Sequence, residues 1–144
     1  MTTVNIILVY SKDERRILMC RRARPPYMGL LNLVGGHVEP GEKGIDAAYR
    51  ELLEETAIAR GDIRLHCVIR SQYPIGDYMI EMYAGRLLRE VDVYGEENEL
   101  VWVDANENFF DTSRFAGNGN IGHLALEVRN YYAETVFHAE VEEQ

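Results

Sequence analysis

The chain has 144 residues, 47% of them hydrophobic and 27% charged, with 15 Lys and Arg against 24 Asp and Glu for a net charge of −9. That length predicts one compact domain, residues 1–144, around a single core, and the composition excludes a disordered, fibrous or membrane-spanning chain. The acidic balance argues against binding along a nucleic-acid polymer, which needs a basic face, but it allows a small polyanion bridged by metal ions.

Residues 4–10 are β-branched and apolar, and residues 16–22 follow after a polar turn at 11–15, the pattern of a hairpin. The first ten residues lack a basic stretch, a long apolar segment and a small-residue cleavage site, so the cytoplasm is the expected location. Pro25, Pro26 and Gly29 force a loop, and the short apolar piece 31–34 then runs into Gly35 and Gly36. After a turn at Pro40 and Gly41, residues 44–56 combine Ala47, Ala48, Leu52 and Leu53 with four acids and read as a helix. Residues 65–73 and 78–88 read as two strands around a turn at 74–77, and 100–103 as a short third one. A second helix is expected over 121–138, with Leu124, Val128, Tyr131 and Tyr132 on its apolar side. The acidic tail 139–144 is expected to fray. Strands mixed with two well-separated helices predict an α/β sandwich with a helix on each side of the sheet. Cys20 and Cys67 have no partner at metal-ligand spacing and read as buried free thiols outside the chemistry.

The chemistry-bearing residues lie between Gly36 and Ile58. Glu51, Glu54 and Glu55 are at i, i+3 and i+4, so three carboxylates share one helix face. A charge run alone is ordinarily a solvated face, but like charges this close repel and favour a compensating cation. Magnesium and manganese, which take carboxylate, carbonyl and water oxygens and bridge to phosphate, suit that role. Arg50 points about 100° away from Glu51 around the helix, so a loop carboxylate such as Glu42 is its expected partner, pinning loop to helix. Gly35 and Gly36 permit backbone angles closed to other residues and let a carbonyl approach a metal.

Gly36, Glu42, Arg50, Glu51, Leu52, Glu54, Glu55 and Ile58, in the segment GHVEPGEKGIDAAYRELLEETAI, resemble the Nudix box, G-x5-E-x7-R-E-U-x-E-E-x-G-U with U a bulky aliphatic residue. Only Ala57 departs, standing for the last glycine near the helix end, where left-handed geometry is common. The resemblance implies a Nudix-type α/β/α sandwich with a mixed β-sheet. It also implies hydrolysis of a nucleoside diphosphate linked to another group, using magnesium, with manganese as a substitute. It assigns metal binding to Glu51, Glu54, Glu55 and the Gly35 carbonyl, and names Glu54 and Glu51 as helix candidates for the base. Glu42 and Arg50 support them. Glu96 or Glu97, in a later loop, supplies a further metal ligand or the base unless it is simply a surface acidic turn; Glu97 is carried as the ligand.

On the substrate side, Gly36 and His37 adjoin the box, and His37 stands where relatives often carry lysine. Arg22 occupies the place of a phosphate-contacting arginine in MutT-type members, with a surface ion pair as the alternative. Asn32, in Leu31-Asn32-Leu33-Val34-Gly35-Gly36, resembles the base-reading asparagine of enzymes that sanitise oxidised purine nucleotides, and an amide can donate and accept together. Asn118 and Asn120 precede the last helix where such relatives place another base reader, although turn-forming or capping asparagines are the plainer reading. The expected activity is conversion of a nucleoside triphosphate, oxidised or normal, to monophosphate and pyrophosphate. The rivals are an ADP-ribose or nucleotide-sugar pyrophosphatase and, in another class, a non-catalytic nucleotide-binding sensor. The sequence leaves monomer and homodimer open.

Overall fold

The computed structural model describes residues 1–138, so the expected frayed tail lies outside the described residues. Strands β1 (Thr2–Tyr10), β2 (Arg16–Arg21), β3 (Leu31–Asn32), β4 (His66–Tyr73), β5 (Tyr78–Arg86) and β6 (Leu100–Asp104) form one mixed sheet. Its order is β3-β2-β1-β5-β4, with β6 paired to β2. β1 runs parallel to β5 along its whole length, from Thr2 opposite Tyr78 to Tyr10 opposite Arg86. Against β2 it keeps only the antiparallel pair Tyr10 and Ile17, so the expected hairpin exists but is splayed. The other edge of β1 is taken instead by the 34–37 segment, through bridges Ile7–Val34 and Val4–His37. That pairing carries Gly35 and Gly36 to the sheet.

Side-chain alternation along β1 feeds two cores. Ile7 and Val9 join Leu18, Val34, Ala48, Leu52 and Ile58 beneath helix α1 (Gly44–Thr56). Leu8 and Tyr10 join Ile17, Met19, Met82, Ile121, Leu124, Val128 and Val136 beneath the C-terminal helical segment. Helices thus cover both faces of a mixed sheet, the expected α/β class. No helix among the described residues is long and apolar enough to cross a membrane.

α1 spans the expected residues. Its C-cap, Ala57, adopts the left-handed conformation at φ 68°, ψ 9° and donates its N–H to the Leu53 carbonyl. An alanine thereby makes the turn that glycine makes more cheaply, by about 1–2 kcal/mol. The second helix departs from expectation. It divides into α2 (Asn120–Glu127), a wider π turn (Val128–Tyr132) and α3 (Ala133–Phe137). The wider turn breaks the 3.6-residue period, so Tyr131, expected on the apolar side, is 76% exposed. Val136 stays buried and Phe137 meets the Tyr10 ring edge-on at 4.8 Å. A single 3-10 turn at Arg60–Asp62 was not anticipated. Cys67 also corrects the sequence reading: it lies exposed on edge strand β4, whereas Cys20 is buried as expected.

Candidate active site

α1 buries Ala47, Ala48, Leu52 and Thr56 and turns Glu51 and Glu55 to Gly35 and Gly36, which lie beside central strand β1 where it splays from β2. Gly36 is in contact with Glu51, since a Cβ there would stand 2.3 Å from the Glu51 carboxyl carbon. A Cβ on Gly35 would stand 2.2 Å from the Asn5 carbonyl oxygen, a backbone atom, so this position needs glycine for close approach. The Gly35 N–H donates to Glu55 Oε2 at 3.2 Å. Loop, strand and helix therefore meet at Gly35 and Gly36.

Arg50 makes a forked pair with Glu42, Nε to Oε2 at 2.8 Å and Nη2 to Oε1 at 3.0 Å, and donates to the His37 carbonyl at 3.0 Å. It also reaches Glu51 at 3.1 Å and Glu54 at 3.4 Å, contacts its helical direction did not suggest. The Arg50 hydrogen bond, with a second from the Glu39 N–H, holds the Glu42 carboxyl down to about 2. Glu55 moves the other way, up to about 7. Burial is the main cause, opposed by the Gly35 N–H and reinforced by the charges of Glu51, Glu97 and Glu54.

The loop after β5 closes the other side. The Tyr94 N–H donates to the Thr56 carbonyl at 2.9 Å, which brings Glu96, Glu97 and Asn98 opposite Glu51, Glu54 and Glu55 around a cleft of about 440 Å³. Among the described residues no three His, Cys, Asp or Glu side chains are grouped closely enough to hold a metal ion. The reason is visible in the contacts: Arg50 draws Glu51 and Glu54 toward itself, while Glu55 turns to the Gly35 N–H. The donor set nevertheless fits a hard divalent ion, being all oxygen, with the charges of Glu51, Glu97 and Glu54 adding to the burial that raises Glu55.

A second cleft, of about 270 Å³, is lined by Arg22, Asn32, Gly35, Gly36 and His37, and shares Cys20, Glu55 and Asn98 with the acidic one. Burial pushes the Cys20 thiol up to about 11, so it forms a neutral wall between the two. Asn32 Oδ1 accepts from the Leu33 N–H at 2.9 Å. Arg22 Nε donates to the Pro26 carbonyl at 3.0 Å, which fixes the arginine to the loop beyond β2. Asn118 and Asn120 line neither cleft. Asn118 sits left-handed at φ 53° and donates to the Tyr27 hydroxyl at 3.2 Å, and Asn120 begins α2. Two site residues were missed. Asn98 was passed over among its acidic neighbours, and Asn5 had a signal, as an amide between Val4 and Ile6 in an apolar run.

The family model of the NUDIX domain matches residues 1–118. The chain belongs to the Nudix family. Nudix hydrolases cleave diphosphate bonds and generally use divalent metal ions, the chemistry class the box implied. A Bacillus subtilis protein described as a putative 8-oxo-dGTP diphosphatase is 39% identical over 56 residues, which cover 39% of this chain and only 36% of that protein. The Escherichia coli K12 dihydroneopterin triphosphate diphosphatase is 27% identical over 116 residues, covering 69% of this chain and 76% of that one. Among solved structures, a C. elegans Ap4A hydrolase binary complex superposes with a TM-score of 0.72 at 20% identity, over 92% of this chain and 98% of that one, which shows the shared Nudix fold.

Proposed function

We propose that this chain is a magnesium-dependent nucleoside triphosphate pyrophosphohydrolase. Water attacks, the bond between the α and β phosphates breaks, and a monophosphate and pyrophosphate leave. The observation that carries the reading is the pair of clefts sharing Glu55 and Asn98, one walled by carboxylates and the other by Arg22, Asn32 and His37. Such adjacency suits a substrate with a polyphosphate at one end and a hydrogen-bonding base at the other. Two relatives are named for triphosphates carrying bicyclic bases, 8-oxo-dGTP and dihydroneopterin triphosphate, which supports a base of that shape.

In this reading Glu51, Glu54, Glu55 and the Gly35 carbonyl hold the metal, and Glu97 adds a ligand from the facing loop. A magnesium or manganese ion held there would neutralise the diphosphate and lower the pKa of the attacking water. Glu54 or Glu51 takes the proton from that water. Glu42 and Arg50 keep the loop against the helix, so that Gly35 and Gly36 stay in reach of the carboxylates. Arg22 and His37 meet the phosphates. Asn32, whose Oδ1 is already held by the Leu33 N–H, presents its Nδ2 to an acceptor on the base edge. The enzyme acts as a single domain on a free nucleotide in the cytoplasm.

The test is hydrolysis of normal and oxidised purine and pyrimidine triphosphates, dihydroneopterin triphosphate, ADP-ribose and Ap4A, with magnesium and with excess chelator. A triphosphate should be preferred, with monophosphate and pyrophosphate as products, and chelator should abolish turnover. Equal rates in chelator overturn the metal-centred reading. A preference for ADP-ribose overturns the triphosphate assignment alone.

A further inference from the structure

Asn5 is 2% exposed and lies in the middle of apolar strand β1, where a polar side chain costs free energy unless its groups are paired. Its pairing is directed at one residue. The Asn5 N–H donates to the Gly36 carbonyl at 2.8 Å, and Asn5 Oδ1 accepts from the Gly36 N–H at 2.9 Å. Both backbone polar groups of Gly36 are thus taken by Asn5. Its Nδ2 is buried with no hydrogen-bond partner among the described residues, so the amide is retained there for its acceptor and despite its donor.

The geometry of a trans peptide gives this clamp a consequence. The C=O of one residue and the N–H of the next lie in one plane and point in opposite directions. With the Gly36 N–H aimed into Asn5, the Gly35 carbonyl is aimed away from Asn5. The backbone of the described residues makes no hydrogen bond to that carbonyl. On the other side the Gly35 N–H is fixed by Glu55 at 3.2 Å, so the Gly35 unit is held at both ends. An aspartate at position 5 would keep the acceptor but bury a negative charge beside the turn that already contacts Glu51 and Glu55. Leucine or alanine would remove the acceptor. An acceptor of this length is what the clamp requires.

We infer that Asn5 is a positioning residue for the metal site, orienting the 35–36 peptide so that the Gly35 carbonyl serves as a metal ligand. The inference rests on the metal-centred reading above. Asn5 lies at the floor of the second cleft, 2% exposed, and acts on the metal site through the 35–36 peptide.

The experiment measures binding of Mn2+ alone to the full chain by titration calorimetry, for wild type, Asn5→Leu, Asn5→Ala and Asn5→Asp, with thermal melts to confirm folding. Asn5→Leu and Asn5→Ala should weaken Mn2+ by about tenfold, the scale on which outer-sphere partners of metal ligands act. The magnesium needed for half-maximal turnover should rise by the same factor, with KM for nucleotide at saturating metal unchanged. Asn5→Asp, which keeps the acceptor, should bind Mn2+ at least half as tightly as wild type. In wild type, Mg2+ should shift the Gly36 amide nitrogen and the Gly35 carbonyl carbon in NMR spectra, a readout that stands even if the variants fail to fold. Asn5→Leu and Asn5→Ala that bind Mn2+ like wild type, or Gly35 and Gly36 resonances unmoved by Mg2+, overturn the positioning role and leave the carboxylate ligands of the metal-centred reading in place. Wild type that binds no Mn2+ overturns both.

Discussion

Helix α1 lines the acidic cleft and the stretch from Arg22 to Asn32 the cleft beside it, and they are held by different means. α1 is a continuous thirteen-residue helix with a buried face, and one arginine ties three of its neighbouring carboxylates together. The Arg22 to Asn32 stretch is mostly loop, ending in a two-residue strand. It is fixed by distant chain: the Leu31 N–H donates to the Arg114 carbonyl, the Ala116 N–H to the Leu31 carbonyl, and Asn118 to the Tyr27 hydroxyl. In the proposed reading the metal-holding carboxylates come mainly from one local element, whereas the base-facing wall is assembled from segments far apart in sequence. Changes in the first should abolish turnover with any substrate, and changes in the second should alter which substrate is preferred.

The largest effect is expected from Glu54→Gln. The Glu54 side chain is 58% exposed, so the substitution removes a charge without opening the core. Turnover should fall by about a hundredfold or more for every substrate in the panel, as losses at metal centres commonly do. The melting temperature should stay within a few degrees of wild type. Retention of near wild-type turnover would take Glu54 out of the catalytic centre and dissolve the contrast between the two walls.

The same contrast explains what could be read from the sequence. α1 was legible to its ends because helix propensity, apolar spacing and the turn at Pro40 and Gly41 are local signals. The alternating strands were legible within a residue or two for the same reason. The parallel pairing of β1 with β5 was not, since paired residues such as Thr2 and Tyr78 lie 76 positions apart and no local pattern records them. The π turn was hidden because Leu124, Val128 and Tyr132 keep a helical spacing on paper, and no residue in Val128–Tyr132 marks a wider turn. In the site, the i, i+3, i+4 carboxylates were plain, but the capture of Glu51 and Glu54 by Arg50 depends on side-chain conformation. Asn98 became visible only once the 91–99 loop was folded against the end of α1.

Asn32→Ala addresses the assembled wall. A buried amide paired to a base edge is worth about 1–3 kcal/mol, and an unpaired partner costs a similar amount. The expected result is a fall in kcat/KM of about tenfold for the preferred triphosphate, with flattened preference among bases and unchanged magnesium dependence. Measuring kcat/KM across the panel for wild type and variant decides it. A uniform loss with the ranking of bases preserved would mean that Asn32 supports the box rather than selecting substrate.

The smallest effect concerns Glu55, where the two walls touch. An unfolded glutamate loses its proton near 4.5, whereas burial and the neighbouring carboxylates keep the folded Glu55 protonated up to about 7. Between those values the folded chain binds a proton that the unfolded chain has released, so this group makes folding less favourable as pH rises through that window and adds nothing further above it. Melts in excess chelator should show wild type losing a few degrees between pH 5 and 8 relative to Glu55→Gln, which cannot titrate. The comparison with the variant removes the contribution of the overall negative charge, which both proteins share except at this position. Saturating magnesium should abolish the difference in slope if the ion compensates the Glu55 charge. Parallel slopes for the two proteins in chelator would place Glu55 in water rather than in the protected junction between the clefts.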